Sequence, residues 1–231
     1  MSATVKEKRT VVKTVPGQYK LFSDGTIRLI NVRASYPWIG EAQKNVDEKT
    51  GAETFSYSCQ GHMPKDTHAD AMKACRDMIV QIIIAEKLAP PGKSIPASKK
   101  FIRNGDAVDD EGNRLMDPEC AGMWVISARS PAKDRPQARG PRKDPETGKP
   151  ERLTPEQAVE TFYGGCYVDM LIRPWGQDNK FGKRVNAALV AVQFKRAGER
   201  FGKGRLGADD IDDSFDADES DSGGWDDDDD M

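Results

Sequence analysis

The sequence predicts a mainly β fold: an OB-like five-stranded antiparallel barrel with one inserted helix, long basic loops and a disordered acidic C-terminal tail. Three observations lead there. Five segments carry the period-2 alternation of half-buried strands, without the regular strand–helix alternation of a parallel sheet. A single segment has helical apolar spacing. Charge is segregated along the chain: the 231 residues hold 35 Lys+Arg and 38 Asp+Glu, and thirteen of those acids lie in 209–231, where no cation occurs. Removing the tail's thirteen acids leaves 35 cations against 25 acids, so residues 1–208 carry +10 and the tail −13.

The chain divides into a flexible basic arm (1–22), a structured domain (23–203) and the acidic tail (204–231). The arm carries Lys6, Lys8, Arg9, Lys13 and Lys20 among few apolar anchors, and Met1 to Lys13 lacks the apolar core of a secretion signal. Thr26–Tyr36 is the first strand, with Ile30, Val32, Ala34 and Tyr36 on one face. Glu53–Met63 is the second, with Phe55, Tyr57 and Cys59 aligned, and the polar stretch Gly40–Gly51 joins the two. Asp66 or Thr67 caps a helix in which Met72, Cys75, Ile79, Ile82 and Ile83 follow at helical spacing, and Pro90-Pro91-Gly92 stops it. One apolar stripe means that this helix packs on the sheet. Ala121–Arg129, Gly165–Arg173 and Val185–Phe194 complete the strand set. Between Pro131 and Pro155 a Pro-, Lys- and Arg-rich stretch without apolar periodicity reads as a long loop, a kind often functional or disordered. A small barrel with such loops presents an open face to oligonucleotides.

Enzyme signatures fail. Gly198-Glu-Arg-Phe-Gly202-Lys203 has three residues between its glycines where a phosphate-binding loop needs four, and Gly204 stands where Ser or Thr would hold magnesium. Asp106, Asp109, Asp110 and Glu111 could serve a metal-dependent nuclease, but a Gly/Asn-rich solvated turn explains them more simply. Cys59, Cys75, Cys120 and Cys166 are scattered, with only His62 and His68 besides, so they read as reduced thiols. Neither a cofactor nor a metal is expected. No apolar run reaches the ~18 residues of a membrane span.

Binding signatures fare better. A single-strand binder needs exposed rings for base stacking, at roughly 1–3 kcal/mol per base, and cations that track the backbone. Tyr36, Trp38, Tyr57, Phe101, Trp124, Tyr167 and Trp175 are the ring candidates; core packing competes with that role for Phe55, Trp124 and Phe194. Tyr36-Pro37-Trp38 and Arg173-Pro174-Trp175 stand out because they sit where strands run out into loops. Cations cluster as Lys99, Lys100 and Arg103; as Arg129, Lys133, Arg135 and Arg139, with Arg142 and Lys143; and as Lys180, Lys183 and Arg184 around Phe181. No pattern for reading base edges stands out, which implies sequence-tolerant binding. The 23-residue tail, ~75 Å if fully extended, can compete with DNA for the basic surface. It can also offer Phe215, Trp225 or Met231 to partner proteins. RNA remains an alternative ligand, since such grooves serve both.

These residues resemble a family of single-stranded DNA-binding proteins of tailed bacteriophages. The matching stretches are Val32-Arg33-Ala34-Ser35-Tyr36-Pro37, Asn104-Gly105-Asp106, Met123–Pro131, Tyr163-Gly164-Gly165-Cys166-Tyr167-Val168, Ala191-Val192-Gln193-Phe194 and Gly198-Glu199-Arg200-Phe201-Gly202, in order across 27–202. The resemblance implies an OB-type fold, single-strand binding without strong sequence preference and no catalysis. It also implies a role in phage replication, recombination or repair in the host cytoplasm. It supports Arg33, Tyr36, Arg129 and Tyr167 as groove residues. The tail's acids and apolar anchors lead to the expectation that it recruits replication or recombination proteins such as a polymerase, helicase or nuclease, and the sequence is compatible with a homo-oligomer. Acidic tails of single-strand binders often end in an apolar pair or a Phe. This chain ends Asp229-Asp230-Met231, which leaves Trp225 as a substitute anchor.

Overall fold

The computed structural model describes residues 9–47, 50–180 and 182–201. Ten strands form one sheet: β1 (Val11–Val15), β2 (Tyr19–Phe22), β3 (Ile27–Val46), β4 (Glu53–Pro64), β5 (Ile102–Asn104), β6 (Met123–Pro131), β7 (Gln137–Lys143), β8 (Pro150–Arg152), β9 (Tyr167–Asn179) and β10 (Gly182–Arg196). The helices are α1 (Ala69–Ala85) and α2 (Pro155–Thr161).

The five long strands run β6-β4-β3-β9-β10 and are antiparallel throughout, as an OB-like sheet requires. The sheet curls until its two ends meet without closing into a full ladder. Ser130 Oγ on β6 donates to the Leu189 carbonyl on β10 at 2.7 Å, and Lys100 bridges Val185 in parallel just before β5. The core fills the inside of this curl, with Ile27, Leu29, Val32, Met63, Ile126, Met170, Ile172 and Leu189 wholly buried. The inner face of α1 (Met72, Cys75, Ile79 and Ile83) packs into it. Burial raises the Cys75 thiol to about 12, and all four cysteines are buried and unbridged.

The five expected strands are present, and several features differ from the sequence reading. Residues 11–22 are not an arm: β1 and β2 form a hairpin whose second strand pairs with β3. Buried Tyr19 and half-buried Val15 and Leu21 give this hairpin its own purchase on the core, which a cation count overlooks. The hairpin loop expected over Gly40–Gly51 is mostly strand, because β3 continues to Val46 and pairs with Glu53–Ser56. Within β3 the alternation changes phase twice, at Asn31 (φ 56) and Tyr36 (φ 47). Leu29 is therefore buried in place of Ile30, and Ser35 in place of Tyr36. His68, rather than Asp66 or Thr67, precedes α1, and its imidazole is tied to the Ile30 carbonyl at 2.9 Å.

The stretch 131–155 is also structured. β7 joins β10 in parallel and β8 in antiparallel fashion, burying only small residues such as Ala138 and Gly140. After it, Thr154 and Gln157 form a reciprocal capping box that opens α2. Phe181, the tail domain 204–231 and its candidate anchors Phe215, Trp225 and Met231 lie outside the described residues.

Candidate nucleic-acid interface

An open groove of about 750 Å³ runs between the β3–β4 arm on one side and the β9–β10 hairpin on the other. Tyr36, Trp38, Phe55 and Trp175 line it and are 58, 39, 49 and 43 % exposed, so they form a solvent-facing ring set. Five cations share it: Lys99, Lys100, Arg103, Arg129 and Arg184. Strand pairing fixes their spacing. Trp38 sits opposite Ser58, and Ser58 opposite Arg129, so ring, hydroxyl and cation form one row across β3, β4 and β6. Neighbouring strands are ~4.8 Å apart, which puts the ring and the cation about two strand spacings apart. On the facing wall Trp175 pairs with Asn186 and Gln177 with Arg184.

Two features distinguish the groove. The first is the backbone of Tyr36, a bulky residue in the left-handed region, where a non-glycine side chain costs energy. That conformation interrupts the β3–β4 register between Ser35 and Trp38 and turns the phenol outward while its neighbour Ser35 is buried. The second is Arg184, whose Nε is buried without a hydrogen-bond partner. As a half-buried cation on the groove wall, Arg184 can meet a phosphate oxygen through its terminal guanidinium nitrogens. Arg103, by contrast, donates to Ser127 Oγ at 3.1 Å, which orients it along the floor. Gln43, Gln60, Gln177 and Asn186 supply amides that can meet base edges or sugars of any sequence.

The structure thus brings together Tyr36, Trp38, Lys99, Lys100, Arg103, Arg129, Trp175 and Arg184. Phe101 also borders the groove but is 3 % exposed and serves the core, so it cannot stack on a base. Phe55, for which core packing competed with stacking, is an exposed groove ring, because β4 leaves the core at this end. The other candidates lie elsewhere. Tyr57 is half-buried opposite Ser130 and does not line the groove. Trp124 packs against the core beneath the Lys65 ammonium and the Arg76 guanidinium, 4.6 and 5.0 Å from its ring. Lys133, Arg135 and Arg139 belong to the β7–β8 side, where Arg139 donates to the Pro150 carbonyl at 3.0 Å. Arg173 pairs with Asp24 at 3.5 Å. Lys180 and Lys183 occupy the tip of the β9–β10 hairpin, and Lys183 pairs with Asp178 at 3.5 Å.

Arg33 and Tyr167 do something different. They clasp the last described residues: Arg33 Nη2 donates to the Glu199 carbonyl at 2.8 Å and its guanidinium lies 4.3 Å from the Phe201 ring. Tyr167 carries the Arg196 guanidinium 3.3 Å from its centroid. Gly165 makes this clasp possible, since at φ 103 a Cβ there would stand 1.9 Å from the Glu199 carbonyl oxygen. Phe201 then stacks on His62 at 5.3 Å between centroids. Burial holds the His62 pKa below the ordinary imidazole range, and the Arg33 charge adds to this.

A second groove, of about 610 Å³, adjoins the first across Tyr36 and Trp38. Its walls are Phe162, Tyr163 and Phe201, and its rim carries Glu41, Asp117 and Glu119. Gly40 allows α2 to lie against β3 there, because a Cβ would come within 2.4 Å of the Pro155 carbonyl oxygen. The Tyr36 hydroxyl donates to Asp117 at 3.4 Å, and that carboxylate raises the phenol pKa.

Two members of the acidic cluster considered for nuclease chemistry, Asp106 and Asp109, are engaged in local structure. Asp106 accepts from Lys65 Nζ at 2.5 Å and from the Gly122 amide at 2.9 Å, and Asp109 closes its own turn by accepting from the Glu111 and Asn113 amides. Among the described residues no three His, Cys, Asp or Glu side chains converge as a metal site.

The family model described as the ssDNA-binding protein of Enterobacter phage Enc34 matches residues 26–223. A structure of the single-stranded DNA-binding protein from bacteriophage Enc34 in complex with ssDNA is similar at TM-score 0.68 and 37% identity, over 85% of this chain and 100% of that one. Another structure of the Enc34 protein matches at TM-score 0.67 and 35% identity, over 89% and 99%. Protein p50 of Acyrthosiphon pisum secondary endosymbiont phage 1 is 28% identical over 195 residues, 81% of this chain and 92% of that relative. With an OB-like sheet, a cationic ring-lined groove and a match over most of its length, the chain belongs to the Enc34-type family of phage single-stranded DNA-binding proteins.

Proposed function

We propose that this chain binds single-stranded DNA, without sequence preference and without catalysing a reaction, in the groove between the β3–β4 arm and the β9–β10 hairpin. It would protect transient single strands during phage replication, recombination or repair in the host cytoplasm. The observation that carries the proposal is one open furrow holding four exposed rings and five cations, including the Arg184 guanidinium with its unpaired buried Nε. Rings supply stacking that any base satisfies, and cations supply phosphate contacts. The thirteen acids of 209–231 compete for the same cations when DNA is absent, and once displaced they are free to recruit replication proteins.

Anisotropy titrations with labelled single strand, duplex and RNA at several salt concentrations test this reading. Single-stranded DNA should bind tightest, and deleting 209–231 should tighten binding at low salt. Equal affinity for duplex would refute the groove, and unchanged affinity after the deletion would refute the competition. Cleavage of the single strand in magnesium would refute the non-catalytic assignment.

A further inference from the structure

The second groove has an unusual combination of walls and rim. Rings and apolar side chains line it, yet its charged residues are all acidic: Glu41, Asp117 and Glu119. Among the described residues none of the three has an ion-pair partner. The guanidinium groups next to the groove lie over its own ring wall, Arg33 over Phe201 and Arg200 over Tyr163 at 4.1 Å, and among the described residues neither pairs with the acidic rim. An unpaired acidic rim beside a ring wall suits a short segment carrying both cations and an apolar side chain.

The chain contains one such segment directly beside the groove. Phe201 is itself a wall residue, fixed by its amide donating to the Gly164 carbonyl at 3.0 Å and by its stack on His62. The next residues in sequence are Gly202-Lys203-Gly204-Arg205-Leu206-Gly207-Ala208, and the acidic run starts at Asp209. We propose that Lys203–Leu206 docks in this groove, with Lys203 and Arg205 on the acidic rim and Leu206 against the ring wall. Five residues beyond Phe201 reach at most ~17 Å, enough to cross a groove of this size. Because the segment is tethered at the groove, its effective concentration is on the order of millimolar, so even a weak contact is populated.

This docking goes beyond single-strand binding and explains how the tail is delivered. The two grooves share Tyr36 and Trp38, so a docked Leu206 starts the acidic run at the rim of the basic furrow instead of leaving it to search the whole surface. The short cationic stretch between folded body and acidic tail then acts as a hinge pin.

Hydrogen exchange on the full-length chain tests the docking without relying on DNA binding. The reporters are the amides of Val159, Phe162, Tyr163 and Gly164, which line only the second groove. They should exchange about twofold more slowly in the native chain than in the full-length Lys203→Glu/Arg205→Glu variant, the protection expected when a millimolar tether faces a millimolar dissociation constant. Adding Asp117→Lys and Glu119→Lys to that variant should restore the slow exchange, because the charge pairs re-form with reversed sign. Leu206→Ser should speed exchange with every charge retained. Equal exchange in native and reversed chains overturns the proposal, as does failure of the compensating pair to restore protection. Protection that appears only when an oligonucleotide is added would make the groove a DNA subsite and overturn it too. Loss of docking with intact single-strand affinity would leave the groove assignment of the preceding section standing.

Discussion

Tyr36 separates stacking from packing more sharply than any other residue in the groove. Replacing it with glycine removes the ring and at the same time relieves a φ of 47, the left-handed conformation that costs an L-residue about 1–2 kcal/mol. Glycine gives back about 0.4–1 kcal/mol through the greater freedom of the unfolded chain. The side chain is 58 % exposed, so little burial is lost. The folded state of Tyr36→Gly should therefore be as stable as the native chain or up to about 1.6 kcal/mol more stable. Single-strand affinity should move the other way, by about 1–3 kcal/mol for a lost base stack, a rise in Kd of about 5- to 160-fold. Tyr36→Phe keeps the ring and loses only the hydroxyl bond to Asp117, so its Kd should stay within about twofold of native. Urea unfolding and anisotropy titration of the three chains in one buffer give both quantities. If Tyr36→Gly destabilises the fold by more than about 1 kcal/mol and leaves Kd unchanged, the phenol is a packing residue and the argument from backbone strain fails.

Further outcomes follow from the same geometry. The five groove cations predict a log–log salt slope of about −3.5 for single strands, and Arg129→Ala should reduce it by about 0.7 while weakening all sequences alike. Asp169 is 3 % exposed, pairs with Arg28 and accepts from the Asn31 amide at 2.9 Å. Asp169→Ala should therefore cost about 3 kcal/mol in urea unfolding, with little change in Kd for DNA once the protein is folded. His62 has a folded pKa held below 6.5, so the unfolded chain takes up the proton first as pH falls. Its contribution to stability is complete above about pH 6.5 and declines below it. The unfolding midpoint should drop between pH 7 and 5, and His62→Phe should flatten that dependence.

Much of the fold was legible because the core strands are amphipathic in a regular way. Cys166, Val168, Met170 and Ile172 alternate cleanly in sequence and are all buried. The inward face of α1 followed from spacing alone. Legibility stopped where pairing is non-local or the buried residues are small. β7 shows no apolar period, since its inward positions are Ala138 and Gly140 and its stability comes from β10 and β8, distant in sequence. One available signal was passed over: the Thr154…Gln157 spacing before Ala158 is a capping box and marks α2 without any coordinates.

The groove divides along the same line. Tyr36-Pro37-Trp38 and Trp175 were readable as exposed rings, although the expected strand exits are absent because β3 and β9 continue past them, and Lys99, Lys100, Arg103, Arg129 and Arg184 were readable as cations near rings. Their convergence was not readable, nor was the removal of Arg33 and Tyr167 to the clasp around Phe201. The sequence by itself determined the charge segregation, the antiparallel β class and the ring and cation types needed for single-strand binding, because these depend on composition and short-range periodicity. Only the tertiary structure decided which of those side chains share a furrow. That depends on curl, on register and on two left-handed residues in β3, where one shift of phase moves a side chain from core to solvent.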